Sequence, residues 1–164
     1  MSENYIVING KRAELTEEQL KALGLEIKSP FARTDKGNIY YAISITGEVE
    51  LITEKRIVWD KERHDVANYC TDEKMMQQQA YRETLNRLLW RYSMEHKGNE
   101  IDWSDDTQAK WSVCFDHKHN SWEYLEIYRL ERYGSVYFLT REIAESATKE
   151  IIKPFMAQHP DFKF

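Results

Sequence analysis

The stretch from Thr71 to Gly98 constrains this chain more than any other. It contains no proline and, before Gly98, no glycine, so nothing in it breaks a helix. Thr71 is placed to cap the start, and Asp72 and Glu73 put carboxylates in the first turn, where the helix dipole favours them. His96 and Lys97 fall in the last turn. Gly98 is placed to take the left-handed conformation that ends a helix. At 1.5 Å per residue such a helix is about 40 Å long, enough to cross a small domain.

Its apolar residues fall on two sides. Stepping about 100° per residue, Tyr81, Leu85, Leu88, Leu89 and Tyr92 share one face. Met76, Trp90 and Met94 share the opposite one, beside Arg87 and Arg91. A surface helix ordinarily carries a single stripe. Two stripes mean burial between two layers of the same chain, or one side that meets a partner. The pattern predicts a central spine sandwiched between layers. Glu83 precedes Arg87 by four residues, in position for a surface ion pair worth about 0.3 kcal/mol.

Around this helix the chain reads as hairpins and short helices. Tyr5–Ile8 and Lys11–Leu15 are strands joined by Asn9-Gly10, followed by a short helix that Thr16 and Gln19 cap and Gly24 stops. Asn38–Ile45 and Glu48–Thr53 form a second hairpin about Thr46-Gly47. Residues 54–65 mix charges of both signs and read as a surface loop anchored by Trp59, with Val66–Cys70 a short strand. Trp111, Val113 and Phe115 alternate along a further strand, a long strand runs from Trp122 to Leu130, and Val136–Leu139 is a third. Thr140 caps the last helix, whose stripe is Ile143, Ala144, Ala147, Ile151 and Phe155 until Pro154 kinks or ends it. The tail is placed to dock by Phe162 and Phe164.

Two halves therefore read alike. Each runs strand, turn, strand, third strand, then helix, entered through Tyr69-Cys70-Thr71 in one and Phe138-Leu139-Thr140 in the other. A hairpin with a short third strand cannot bury one face unaided, so the following helix covers it. The expected class is α+β: antiparallel hairpins or meanders packed on a long central helix, in two β-β-β-α halves. Residues 1–28 form an N-terminal hairpin and short helix, 29–98 the first unit and 99–164 the second, all in one compact domain.

Composition removes several classes of function. No apolar run approaches the roughly 20 residues of a membrane helix. The start lacks a signal peptide, and Cys70 and Cys114 read as reduced thiols, so the expected location is cytoplasmic. The formal net charge is −5. Between Asn99 and Glu131 eight acids stand against Lys110, Lys118 and Arg129, an excess as large as that of the whole chain. This disfavours a broad phosphate-binding surface and provides an acidic patch, with Asp102, Asp105 and Asp106, that would attract a basic partner. The same acids lack the glycine and twelfth-position acid of a calcium loop. Cys114, His117 and His119 raise zinc, but no fourth ligand stands at a recognisable spacing. No nucleotide loop, nucleophile elbow or zinc-protease helix is present, so neither catalytic residues, metal nor cofactor is expected.

Residues Tyr81–Glu95, with Glu150–Met156, His159-Pro160 and the opening Ile8-Asn9-Gly10-Lys11, resemble a group of small proteins from phages and prophages of Firmicutes. The resemblance implies a mobile-element context and a binding role, as for anti-CRISPR and other counter-defence inhibitors. The expected partner is a host or defence-system protein. It would be met by Met76, Arg87, Trp90, Arg91 and Met94 or by Asp102, Asp105 and Asp106. Two alternatives stand beside it: a nucleic-acid-binding accessory factor using Arg82, Arg87 and Arg91, and a sponge for a nucleotide signal.

Overall fold

The structure, a computed structural model, describes residues 5–8, 11–23 and 29–163. The Asn9-Gly10 turn, the Gly24 stop and Phe164 lie outside the described residues. The architecture is mixed α and β, with antiparallel two-stranded hairpins packed among helices. The first hairpin pairs Tyr5–Ile8 (β1) with Lys11–Glu14 (β2). Thr16 then opens Glu17–Ala22 (α1) by a reciprocal cap: the Gln19 amide donates to Thr16 Oγ1 at 3.3 Å, and the Thr16 amide donates to Gln19 Oε1 at 2.9 Å.

Ile39–Ile43 (β3) and Val49–Thr53 (β4) form the second hairpin, with Tyr40 opposite Ile52. The strand expected over 66–70 shrinks to a single bridge, Cys70 to Tyr41, because Ala67 takes a left-handed φ of 58° that breaks the extended chain. The expected loop over 54–65 instead carries a helix, Val58–Asp65 (α2). Its start is closed by Asp60, whose carboxylate accepts from the Lys55 and Ile57 amides at 2.8 and 3.2 Å. Asp60 is buried, and Trp59, expected as the anchor, is 66 % exposed.

The long helix runs Glu73–Glu95 (α3). Its cap is Asp72, which accepts from the Met75 amide at 3.0 Å. Thr71, the expected cap, is committed elsewhere: its amide and hydroxyl both donate to the Pro30 carbonyl. At the other end Lys97, with φ 67°, takes the left-handed position expected of Gly98. Gly98 is required for room. A Cβ there would strike Ser93 Oγ and lie 2.7 Å from the Ser93 carbonyl and from Met94 Cε.

The two stripes of α3 occupy different lengths of it. Met76 and Ala80 are buried near its start, and Leu85, Leu89, Tyr92 and Ser93 further on. The helix packs on β3 and β4 and also on the C-terminal helices, so it serves both hairpin units. It is not sandwiched, however. Met75, Gln79, Arg82, Asn86 and Trp90 form an exposed flank along its whole length. Met76 is 2 % exposed and Trp90 59 %, although the sequence put them on one face. The layer over Met76 does not extend to Trp90, about 21 Å further along the axis.

Lys110–Asp116 (β5) and Ser121–Ile127 (β6) form the third hairpin. The strand expected to reach Leu130 stops at Ile127, and the Tyr128 carbonyl accepts instead from Lys110 Nζ at 3.2 Å. The third strand is again one bridge, Phe138 to Trp111. Thr140 then caps Arg141–Ala147 (α4), accepting from the Ile143 amide. The helix does not end at Pro154. A π turn over Thr148–Ile152 joins it to Lys153–Gln158 (α5), with the Lys153 amide bonding five residues back to Thr148. The wider turn inserts a residue, so Ile152 is fully buried in the core while Ile151 is half-buried and packs against its edge. That core gathers Leu85, Leu89, Tyr92, Phe138, Ala144, Ala147, Ile152, Phe155 and Phe162. The tail lies along α3, where Gln78 bonds the backbone of Asp161 and Lys163. No described helix is long and apolar enough to cross a membrane.

Candidate partner-binding surface

The structure divides the predicted site residues. Met76 is core and cannot meet a partner. Arg87 and Arg91 are exposed but lie 3.6 Å from Glu83 and 4.0 Å from Glu95, and Arg87 also donates to Thr84 Oγ1. Half-neutralised in this way, they are a poor phosphate track. Trp90 and Met94, one turn apart at the end of α3, stand together. With Ile101, Trp103, Glu131, Val136 and Tyr137 they line an open cleft of about 180 Å³.

The wall facing α3 comes from the loop after Gly98. Ile101 and Trp103 turn toward the molecule, and Trp103 meets the Tyr137 ring edge-on at 4.9 Å. Asp102 between them is exposed. Its carboxylate accepts from the Ser104 amide and hydroxyl at 2.8 and 2.6 Å. Asp105 accepts likewise from Thr107 at 2.8 and 2.7 Å. The hydroxyl bonds first, then the amides, hold both carboxyls below the usual range, so both are anions at neutral pH. Asp106 differs: it pairs with Arg129 at 3.1 Å and offers less free charge.

One residue that sequence reasoning missed organises this loop. Lys110 is fully buried. Its ammonium donates to the Asp105 carbonyl at 2.7 Å and the Tyr128 carbonyl at 3.2 Å, and lies 5.3 Å from the centre of the Trp103 ring. An ammonium fixed by two carbonyls and an aromatic face ties both ends of the acidic loop to β5. The available signal was the alternation itself: Lys110 and Ser112 share the face opposite Trp111 and Val113, and both faces are covered.

A second group of ionisable residues lies under the β3–β4 hairpin. Tyr40 and Tyr69 stack with ring centres 3.9 Å apart. Tyr40 donates to Asp60 at 2.8 Å and Tyr69 to Glu54 at 3.0 Å. Arg33 forks onto both Glu54 oxygens at 3.1 and 2.9 Å. The Arg33 hydrogen bonds, working against burial, hold Glu54 below its ordinary value. Burial pushes Asp60 up, but the Lys55 amide, the Tyr40 hydroxyl and the Ile57 amide together reverse it. Tyr69 is pushed up to about 12, first by burial and then by Glu54. Among the described residues no buried side-chain nitrogen or oxygen lacks a partner. Each buried polar atom of this network has a partner within it or on neighbouring backbone, as buried polar groups require.

Cys114, His117 and His119 do not assemble. His119 is turned to Asp116 at 2.6 Å, His117 stacks edge-on to Phe115, and no three metal-ligating side chains converge among the described residues. No protein-family model, curated protein or solved structure matches the chain.

Proposed function

We propose that this protein acts by protein–protein contact, as a phage-derived counter-defence inhibitor that blocks a host effector such as a CRISPR nuclease. The observation that carries this is the cleft. Trp90 and Met94 stand exposed at the end of a rigid helix, face Trp103, and are rimmed by Glu131 and the anionic Asp102–Asp105 loop. Aromatic and methionine anchors within a charged rim are the anatomy of a protein-binding surface. The charge selects a partner with basic residues around an apolar projection, as nucleic-acid-handling effectors present. The phage resemblance of the Tyr81–Glu95 stretch, which contains Trp90, supports the same context.

The test is phage plating on a host whose CRISPR system targets the phage. Expression of the native chain should restore plaques. The Trp90→Ser/Trp103→Ser variant should not, and Asp102→Lys/Asp105→Lys should weaken the effect while leaving the fold intact by circular dichroism. Equal plating with the native chain and the cleft variants, or no relief by the native chain, rejects the proposal.

A further inference from the structure

The two edges of the β3–β4 hairpin are finished differently. At the ends of its ladder the Ser44 amide donates to the Glu48 carbonyl and the Glu54 amide to the Asn38 carbonyl, both at 2.8 Å. The hydrogen-bonded pairs between them are therefore Ala42–Glu50 and Tyr40–Ile52. The backbone groups of Tyr41 and Ile43 on β3, and of Val49, Leu51 and Thr53 on β4, point away from the partner strand. On the β3 side these groups are taken. Tyr41 exchanges two bonds with Cys70, and the Asn68 side chain closes Ile43, accepting from its amide at 2.6 Å and donating to its carbonyl at 2.8 Å. On the β4 side the outward N–H and C=O groups of Val49, Leu51 and Thr53 have no partner among the described residues. Open edges are commonly blunted by proline or lysine, and β4 carries neither.

A groove of about 350 Å³ lies beside this edge. Residues 51–53 of β4 line one side of it, and Ile57, Trp59 and Arg63 line the other, with Lys55 on the link between. Leu51, Ile57 and Trp59 are all exposed. Arg63 is steadied by donating to the Tyr40 hydroxyl at 3.2 Å, yet neither it nor Lys55 has a carboxylate partner among the described residues. Asp60 also reaches the groove, but its carboxylate already accepts from the Lys55 and Ile57 amides and the Tyr40 hydroxyl. We propose that β4 takes an extended segment of a partner protein as an added strand. The unpaired backbone groups supply the ladder, about five residues long. The groove takes one large apolar side chain against Leu51 and Trp59. The two unpaired cations select a segment with an acidic residue, which they hold by charge-assisted bonds. This groove shares no residue with the acidic cleft of Trp90 and Trp103, so the two surfaces stand or fall separately.

The probe is a phage-displayed library of random octapeptides, panned on the purified native chain, with enriched peptides resynthesised and their binding measured by fluorescence anisotropy. Enriched sequences should combine an aromatic or β-branched residue with Glu or Asp. N-methylation of one peptide amide at a time should weaken binding at least about tenfold at alternate positions and little between them, because an added strand bonds through every second residue. Hydrogen exchange at Val49, Leu51 and Thr53 should slow when peptide is added. Leu51→Pro deletes an outward N–H and leaves the β3–β4 ladder intact, so it should keep the native circular dichroism and weaken binding at least about tenfold. Lys55→Glu, on an exposed side chain outside the strand, should weaken it by an amount that fades in high salt. Trp90→Ser/Trp103→Ser should bind peptide as the native chain does. The proposal is overturned if no peptide is enriched over the bare support, or if the N-methyl profile lacks a period of two. It is equally overturned by Val49, Leu51 and Thr53 amides that are protected before peptide is added, or that exchange as fast with it as without it.

Discussion

The two hairpin units are joined to their helices in the same way and filled in opposite ways. In each, the first strand of the hairpin takes one antiparallel bridge from the residue that leads into a helix: Cys70 on Tyr41, Phe138 on Trp111. In each, a tyrosine stands just before the bridge and the N-cap two residues after it, Tyr69 and Asp72 in one, Tyr137 and Thr140 in the other. The interiors differ. Behind β3–β4 lie stacked tyrosines, two buried carboxylates and a forked arginine. Behind β5–β6 lie Phe138 and the apolar faces of α3 and α4. The difference follows from the link between hairpin and bridge. The first link holds α2 and drives Asp60 beneath the sheet, whereas the second is shorter and brings Val136 and Tyr137 inward. The same connection is stable over either filling, provided that every polar group inside it is paired.

Removing an apolar piece should cost most. Phe138→Ala is expected to destabilise the protein by about 3–5 kcal/mol in urea unfolding, because the cavity opens where α3, α4 and β5 meet. Glu54→Gln should cost about 2–3 kcal/mol at pH 7, since it breaks charge-assisted bonds to Arg33 and Tyr69 in a buried place. The two variants should part with pH. The folded-state value of Glu54 is depressed, so its contribution is fully present above the unfolded value of about 4.3 and is lost as pH falls through the lower folded value. The deficit of Glu54→Gln should therefore shrink as pH falls below the unfolded value toward the lower folded one, while that of Phe138→Ala should not. Parallel pH dependence of the two deficits would show that the polar network adds no linked stability.

The contrast also marks what the sequence could tell. Periodicity located α3, the hairpins and the α+β class, because hydrophobic spacing is local information. It aligned the units one residue out of register, matching Tyr69 with Phe138 rather than with Tyr137. Thr71 looks as good a cap as Asp72 until Pro30, forty-one residues earlier, claims both its bonds. Asp60, Glu54 and Lys110 read as surface charge because their partners are distant in sequence or are backbone carbonyls, which no pattern of side chains announces. Within the site, Trp90 and Met94 were legible from the second stripe. Met76 was misread because a helical wheel ignores where along the axis a covering layer ends.

The smallest expected effect lies at the joint between the units, and it distinguishes two reasons for a glycine. Read as a helix stop, Gly98 would be needed for its backbone freedom. In the structure Lys97 carries the left-handed φ of 67°, and Gly98 is pressed against Ser93 and Met94. The two explanations predict opposite signs. Lys97→Gly relieves a strained side-chain-bearing residue and gives up only an exposed contact with Glu100 at 3.7 Å, so it should leave stability unchanged or raise it by up to about 1 kcal/mol. Gly98→Ala should lower it by about 1–2 kcal/mol, because the Ser93 carbonyl belongs to the helix backbone and cannot give way. Met94 would be displaced by the same methyl group, so Gly98→Ala should also disturb the cleft while Lys97→Gly leaves it alone. If thermal unfolding showed Gly98→Ala neutral and Lys97→Gly destabilising, the close packing that joins α3 to the second unit would not be what fixes the glycine there.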